Sequence, residues 1–379
     1  MLAALFLATT LIVGPEQPLT PDAAEQHSVA FAGKLAVWNE GGGVQSAIRG
    51  RFLPKGEPFT IAAFSNFDRS ASSVATIDRG YVVAWFESQP FAGLRIIFQT
   101  TDEHGVLKVR REVAGVAWNE FPNPYDKSAA PPAGPAIASN GKTIALATGG
   151  ASGVLLRLFD TSFEPISSSR TLTAPGDDLA LVRIIATPPP LRPTVEDLHV
   201  VWNGDHYTVA WRFAITSGTV NYAIVDSRGV IGNAILIPGS NWLALATTAH
   251  GSKVVAAGTA YGAPKYDLCL EVVTLGAPTR DRVRCVPGRR ASDALSDIKP
   301  ALADGLLLIS EWSGRTYDVL AAPIAPHPVF TCVSCTELSE QRPAATSFDG
   351  HTYVAYERIG RAPGNAMRLF LREVTVDRR

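Results

Sequence analysis

HVVWNGDHYTVAW, residues 199–211, decides the fold. An apolar run rich in β-branched residues is followed by Asn203-Gly204. A second run then alternates apolar and polar residues and ends on an aromatic. Two such runs around Asn-Gly are the strongest short-range signal of a β-hairpin, because a two-residue turn needs positive φ at both central positions. The phrase recurs as SVAFAGKLAVW (28–38), SVATIDRGYVVAW (73–85), AIASNGKTIALA (136–147) and ATSFDGHTYVAY (345–356), and more weakly as ALATTAHGSKVVAA (244–257) and ALADGLLLISEW (301–312). The turn glycines Gly33, Gly80, Gly141, Gly204, Gly251, Gly305 and Gly350 are spaced by 45 to 63 residues. That spacing is the length of a four-stranded antiparallel module with variable loops.

Each phrase leads into a third strand and a second turn, as in VNYAIVDSRGVIG (220–232), LRIIFQTTDEHGVLKV (94–109) and IRGRFLPKGEPFT (48–60). Asp-x-x-Gly in two of these marks a turn whose glycine takes a left-handed conformation. The strands before the first turn are rich in small residues, with Ala136 and Ala138, Ala301 and Ala303, and Ala344 and Ala345, as strands converging on a shared axis require. The last module stops after a third strand, 367–377. Glu16-Gln17-Pro18-Leu19-Thr20 resembles the fourth strand of the first module, Glu57-Pro58-Phe59-Thr60, and is available to complete it. The fold class expected is therefore all-β, a seven-bladed β-propeller closed by an N-terminal strand that completes the last blade, which removes two exposed sheet edges. The weak central copies leave six or eight blades as alternatives. The domain division is a signal peptide or truncated leader over 1–14 and one propeller domain over 15–379. The leader reading rests on an apolar run too short to span a bilayer.

The motif of an aromatic, Asn/Asp-Gly, then Tyr-x-Val-Ala-Trp is carried by Trp202-Asn203-Gly204, Tyr207 to Trp211, Phe348-Asp349-Gly350 and Tyr353 to Tyr356. It resembles repeats of exported bacterial β-propeller proteins of unassigned function. The resemblance implies the fold and export, with a secreted, periplasmic or cell-surface location, and transfers no catalytic residue.

Composition narrows the function classes. The 34 Lys and Arg are balanced by 35 Asp and Glu, so no basic footprint for nucleic acid is present. The four cysteines form two local pairs, Cys269 with Cys285 and Cys332 with Cys335. The first pair flanks a hairpin and suits a cross-strand disulfide. The second reads as a tight disulfide, half a zinc site or a redox dithiol, and the disulfide is favoured because no second ligand pair or βαβ context accompanies it. No Gly-x-Ser-x-Gly, His-Glu-x-x-His, phosphate loop, Asp-rich calcium loop or sialidase-type Asp box occurs. No cofactor and no metal site is expected, and the histidines read as turn residues.

The candidate ligand-binding residues are acidic, aromatic and basic. Glu40 and Glu87 each lie two residues after a tryptophan, Glu357 follows Tyr356 and Glu311 precedes Trp312. Superposed modules would gather these carboxylates at one end, where they could bind a cation or act as acid and base on a glycosidic bond. The competing reading is four solvated loop-edge charges. Trp118, Phe121, Tyr125 and Trp242 are aromatics suited to stacking on sugars or anchoring a peptide, three of them in the long connection 115–134; a second long connection covers 174–197. Lys299 and Arg342 precede innermost strands and would form a basic mouth. The function expected is a non-catalytic, monomeric binding module for a protein, peptide or glycan. A polysaccharide-active hydrolase or lyase and a structural envelope component are the alternatives.

Overall fold

The structure is a computed structural model that describes residues 9–21, 24–42, 45–89, 93–113, 133–150, 153–172, 195–213, 220–230, 232, 235–237, 242–248, 251–259, 268–274, 280–286, 300–303, 305–324, 328–360 and 366–378. Every element among them is a β-strand, and they form seven antiparallel sheets. Six sheets have four strands in chain order, within 26–65, 68–112, 136–172, 195–237, 242–286 and 301–334. The seventh runs Glu340–Phe348, His351–Ile359, Met367–Arg378 and then Thr9–Val13, with Gln17–Pro18 also paired to Met367–Arg378.

Strand alternation explains why the sheets assemble. In the second strand of the second sheet, Val83 and Trp85 pack with Leu35, Val37 and Ile48 of the first sheet, whereas Val82, Ala84 and Phe86 pack with Ile137, Ile144 and Phe159 of the third. A period of two sends alternate side chains to opposite faces, so one strand serves two cores. Further cores join the third sheet to the fourth and the sixth to the seventh. Another joins the seventh to the first, through Leu19, Tyr353, Ala355, Leu369 and Leu371 against Ala36, Trp38 and Leu53. The first strand of each sheet lies beside the first strand of the next, and Glu340–Phe348 lies beside Gln26–Ala32.

The turns refine the expectations. Asp349 and Gly350 both have positive φ, 51° and 80°, and form the two-residue turn foreseen for this motif. At Asn203-Gly204 and Asn140-Gly141 only the glycine does, at 104° and 91°. There the loop is longer and the Asn side chain organises it: Asn140 Oδ1 accepts from the backbone of Lys142 at 2.9 Å and Thr143 at 2.7 Å. An Asx turn thus replaces the doubly left-handed turn. Asp-x-x-Gly behaves as read: Asp102 and Asp226 accept backbone N–H bonds across turns whose Gly105 and Gly229 both have φ of 84°. A third copy runs from Asp160 to Phe163, with φ of 67° at Phe163. Packing of that ring on Phe98, at 5.0 Å between centroids, offsets the backbone cost.

The N-terminal segment completes the last sheet, and its strand begins earlier than Glu16. Thr9–Val13 pairs from Thr9 opposite Arg378 to Val13 opposite Val374, so five residues from the stretch read as a leader serve as the outermost strand. Leu11 points into the core shared with Val354, Tyr356 and Val374, while Ile12 is 53% exposed. Cys332 and Cys335 form a disulfide. Cys269 stands directly opposite Cys285 in the fifth sheet. No helix among the described residues is long and apolar enough to cross a membrane.

Replacing Leu11 by Ala should destabilise the chain by about 2–4 kcal/mol, as for a buried leucine, whereas Ile12→Ala should change stability by less than about 0.5 kcal/mol. Urea unfolding of the two variants measures the difference. Equal effects would remove the alternating strand at 9–13.

Candidate functional site

The end of the sheets where first strands begin and second strands finish holds the candidate carboxylates, and backbone demands explain one set of polar residues there. The first strands of the first, second and seventh sheets each carry a bulge near their start, at His27/Ala30, Ser70/Ser73 and Gln341/Ala344. Ser28 and Arg342 sit in two of these with φ of 58° and 51°. A bulge takes backbone groups out of the ladder, and these are satisfied from the preceding sheet. Glu357 Oε1 accepts from Ser28 N at 2.9 Å, and Ser310 Oγ accepts from Arg342 N at 3.1 Å. Asn39 donates to Arg69 O at 2.8 Å and accepts from Ser72 Oγ at 2.8 Å. Asn39, Ser310 and Glu357 occupy corresponding places, each one residue past the large residue Trp38, Ile309 or Tyr356.

One position further along, charged side chains form rows across the sheets. Glu87 lies opposite Arg69 on one side and Arg95 on the other. Its Oε1 accepts from Arg69 Nε at 2.8 Å, Arg110 Nη2 at 2.7 Å and Trp85 Nε1 at 3.2 Å, and its Oε2 accepts from Arg95 Nη2 at 2.8 Å. Glu87 is 0% exposed. Burial by itself raises its pKa, and the bonds from Arg69 and Trp85 with the charge of Arg110 outweigh that, leaving it below the usual carboxylate value. Glu40, at the same place in the first sheet, is buried and paired with Arg49 at 3.4 Å.

In the seventh sheet the central charge is reversed, with Arg358 between Glu340 and Arg368 in the register. Arg358 stands opposite Glu340 and donates to its Oε1 at 2.9 Å. Its two terminal nitrogens reach Glu16 Oε1 and Oε2 at 2.7 and 2.5 Å, and Arg372 Nη2 lies 3.3 Å from Glu16 Oε2. The Tyr356 hydroxyl also donates to Glu16. Burial and the Glu16 bond push the Tyr356 hydroxyl up to about 12. Glu16 is held below its ordinary value: burial opposes this, and bonds from Arg358 and Tyr356 prevail. The sequence marks Glu16 as the start of the closing segment but does not mark Glu16, Glu340 and Arg358 as a charged cluster. Arg358 occupies the place of Glu87, two residues after an aromatic, and this was the signal available.

The structure therefore places three of the four candidate glutamates inside ion pairs and backbone bonds. Glu40, Glu87 and Glu357 are at most 3% exposed, which corrects the reading of them as solvated loop-edge charges. Glu357 and Glu87 sit one residue out of phase, so they face opposite sides of their sheets. Glu311 lies opposite Asp318, whose pKa is raised by burial and by the charges of Glu340 and Glu311. Arg342 is within a first strand rather than before it, and its guanidinium reaches Glu357 Oε2 at 3.3 Å while 46% exposed. Trp242 opens the strand Trp242–Thr248. Trp118, Phe121, Tyr125 and Lys299 lie outside the described residues. Among the described residues no group of three or more His, Cys, Asp or Glu is arranged to hold a metal ion.

No protein-family model and no curated protein matches the chain. Solved structures do. A prolyl endopeptidase aligns with a TM-score of 0.55 at 15% identity over 89% of this chain, and the chain spans only 45% of that protein. The β-propeller domain of the Trilobed protease from Pyrococcus furiosus gives 0.52 at 10% identity over 92% of this chain and 95% of that one. The polysaccharide lyase Uly1 gives 0.52 at 10% identity, covering 94% and 91%. The chain thus has the all-β fold of β-propeller proteins. Likeness at such identities carries the fold alone.

Glu87→Gln should cost about 3–5 kcal/mol, because three arginines lose a buried partner charge. A depressed carboxylate pKa contributes stability above its unfolded value, near 4.5, that is lost as pH falls through the folded value. Acid titration of unfolding should therefore show a smaller loss of stability below about pH 4.5 in the variant. Superimposable pH profiles would count against a structural role for Glu87.

Proposed function

We propose that the chain is an exported seven-bladed β-propeller, closed by its N-terminal segment, that binds a protein, peptide or glycan at its loop-bearing end without turning it over. Seven sheets with adjacent first strands, and a core shared by the seventh and first, support the closed arrangement. The Cys332–Cys335 disulfide suits an oxidising location, secreted, periplasmic or at the cell surface, as does the resemblance to exported propeller repeats. One observation carries the non-catalytic reading: the carboxylates best placed for acid–base work, Glu40 and Glu87, are paired with arginines and closed to water. Two carboxyls acting on a glycosidic bond need access to substrate and different protonation states. Residues 114–132 and 173–194 lie in sequence between a fourth strand and the next first strand, outside the described residues, and the first stretch contains Trp118, Phe121 and Tyr125. Rigid frames commonly place recognition in such connections.

A binding screen of the purified chain against polysaccharides, oligosaccharides and peptides, run with an assay for released product, tests the proposal. Saturable binding without product is expected, and Trp118→Ala or Tyr125→Ala should weaken it at least about tenfold, or 1.4 kcal/mol. Release of shortened or unsaturated sugars would replace the binding module with a hydrolase or lyase. An absence of binding to every class would favour a structural component. Peptide mapping under non-reducing conditions should in addition find Cys269 joined to Cys285, and free thiols at both would weaken the case for export.

A further inference from the structure

Cys332-Val333-Ser334-Cys335 closes the outermost strand of the sixth sheet, with a separation of three residues and Cα atoms 6.0 Å apart. Both cysteines are exposed, while Val333 and Ser334 between them are buried. The buried Ser334 Oγ accepts from Arg358 Nη2 at 3.0 Å. Thr336, immediately after the disulfide, gives its backbone N–H and its hydroxyl to Glu340, which in turn accepts from Arg358 Nε. One short turn thus supplies two of the groups that orient Arg358, and Arg358 grips Glu16 in the N-terminal segment with both terminal nitrogens.

We propose that Cys332–Cys335 is a thiol–disulfide exchange site open to a dithiol reductant, and that its reduction loosens the N-terminal segment from the seventh sheet. A thiolate of the dithiol attacks one Sγ, forming a mixed disulfide and releasing the other cysteine as a thiolate that takes up a proton. The second thiol of the reductant then attacks the mixed bond. Cys332 and Cys335 end as two thiols and the reductant as a disulfide, with two electrons transferred. Three features favour exchange over stapling. The loop is too short to constrain the unfolded chain strongly, since that effect grows with loop length. Cys332 and Cys335 are both exposed residues, which permits approach of a nucleophile. The turn also sits on a charged cluster that joins Glu16 of the N-terminal segment to the last sheet. Cys269 and Cys285, 16 positions apart and opposite each other within a sheet, have the placement of a staple.

The test titrates the oxidised full chain with dithiothreitol under native conditions, traps thiols with iodoacetamide, and maps them by mass spectrometry. Hydrogen exchange of residues 9–18 is followed in parallel. Cys332 and Cys335 should become alkylated at a dithiothreitol concentration at least tenfold below that at which tryptophan fluorescence reports unfolding. Exchange over 9–18 should then rise at least tenfold. The variant carrying Cys332→Ser and Cys335→Ser should exchange rapidly at 9–18 with or without reductant. Ser334→Ala should speed exchange there while leaving the disulfide as reducible as before. Thiols that appear only on global unfolding, or full alkylation with unchanged exchange at 9–18, would overturn the proposal; the unsubstituted chain decides this even if the double variant fails to fold.

Discussion

The second strand of the second sheet faces two ways, and both ways are apolar. Val83 and Trp85 belong to one core, Val82, Ala84 and Phe86 to another. A lone four-stranded sheet of this kind would leave both hydrophobic faces in water, so such a sheet needs a neighbour on each side. A linear stack would strand the outer faces of the first and last members. The core of Leu369 and Leu371 against Trp38 and Leu53 meets that demand for the first and seventh sheets. The pairing of the N-terminal segment on Met367–Arg378 belongs to the same solution, since it extends the surface that the seventh sheet offers to the sixth through Leu11.

The charged rows add selectivity that apolar packing lacks. Removing charges from water is costly, and the cost is recovered only with close, hydrogen-bonded partners. In the second sheet the central side chain is a glutamate flanked by arginines, and in the seventh it is Arg358 flanked by glutamates. Glu16 therefore fits beside Arg358 and Arg372, and a basic segment would be repelled there. The reversed sign gives the N-terminal segment a preferred sheet, a form of specificity by mismatch elsewhere. Register supplies the rest, because a shift of one residue would turn Glu16 and Leu11 toward the wrong faces.

Much of this architecture was legible in the sequence. The Gly-centred phrases marked seven hairpins, Asp-x-x-Gly marked two further turns, and the truncated last module pointed to the N-terminus. What stayed hidden has a common physical source. Thr9–Val13 is too short and too apolar for its alternation to stand out, so an edge strand and a leader look alike there. Asn203 and Asn140 can satisfy a turn by positive φ or by a side-chain bond, and sequence does not separate the two. The fate of Glu87 depended on Arg69, Arg95 and Arg110, which are brought to it by strand register. Glu357 was grouped with Glu87 although one residue of phase sets them on opposite faces, which strict alternation would have revealed.

The three inter-sheet residues sharpen where activity can reside. Asn39, Ser310 and Glu357 differ in size and charge, yet each meets backbone or side-chain groups at the start of the next first strand. The demand comes from bulged backbone that has left its ladder, and an amide, a hydroxyl or a carboxylate can satisfy it. A carboxylate at that position is thus accounted for before any ligand is invoked. The same holds for Glu87, whose oxygens are filled by three arginines and an indole. Chemistry on such a frame must come from residues outside this accounting.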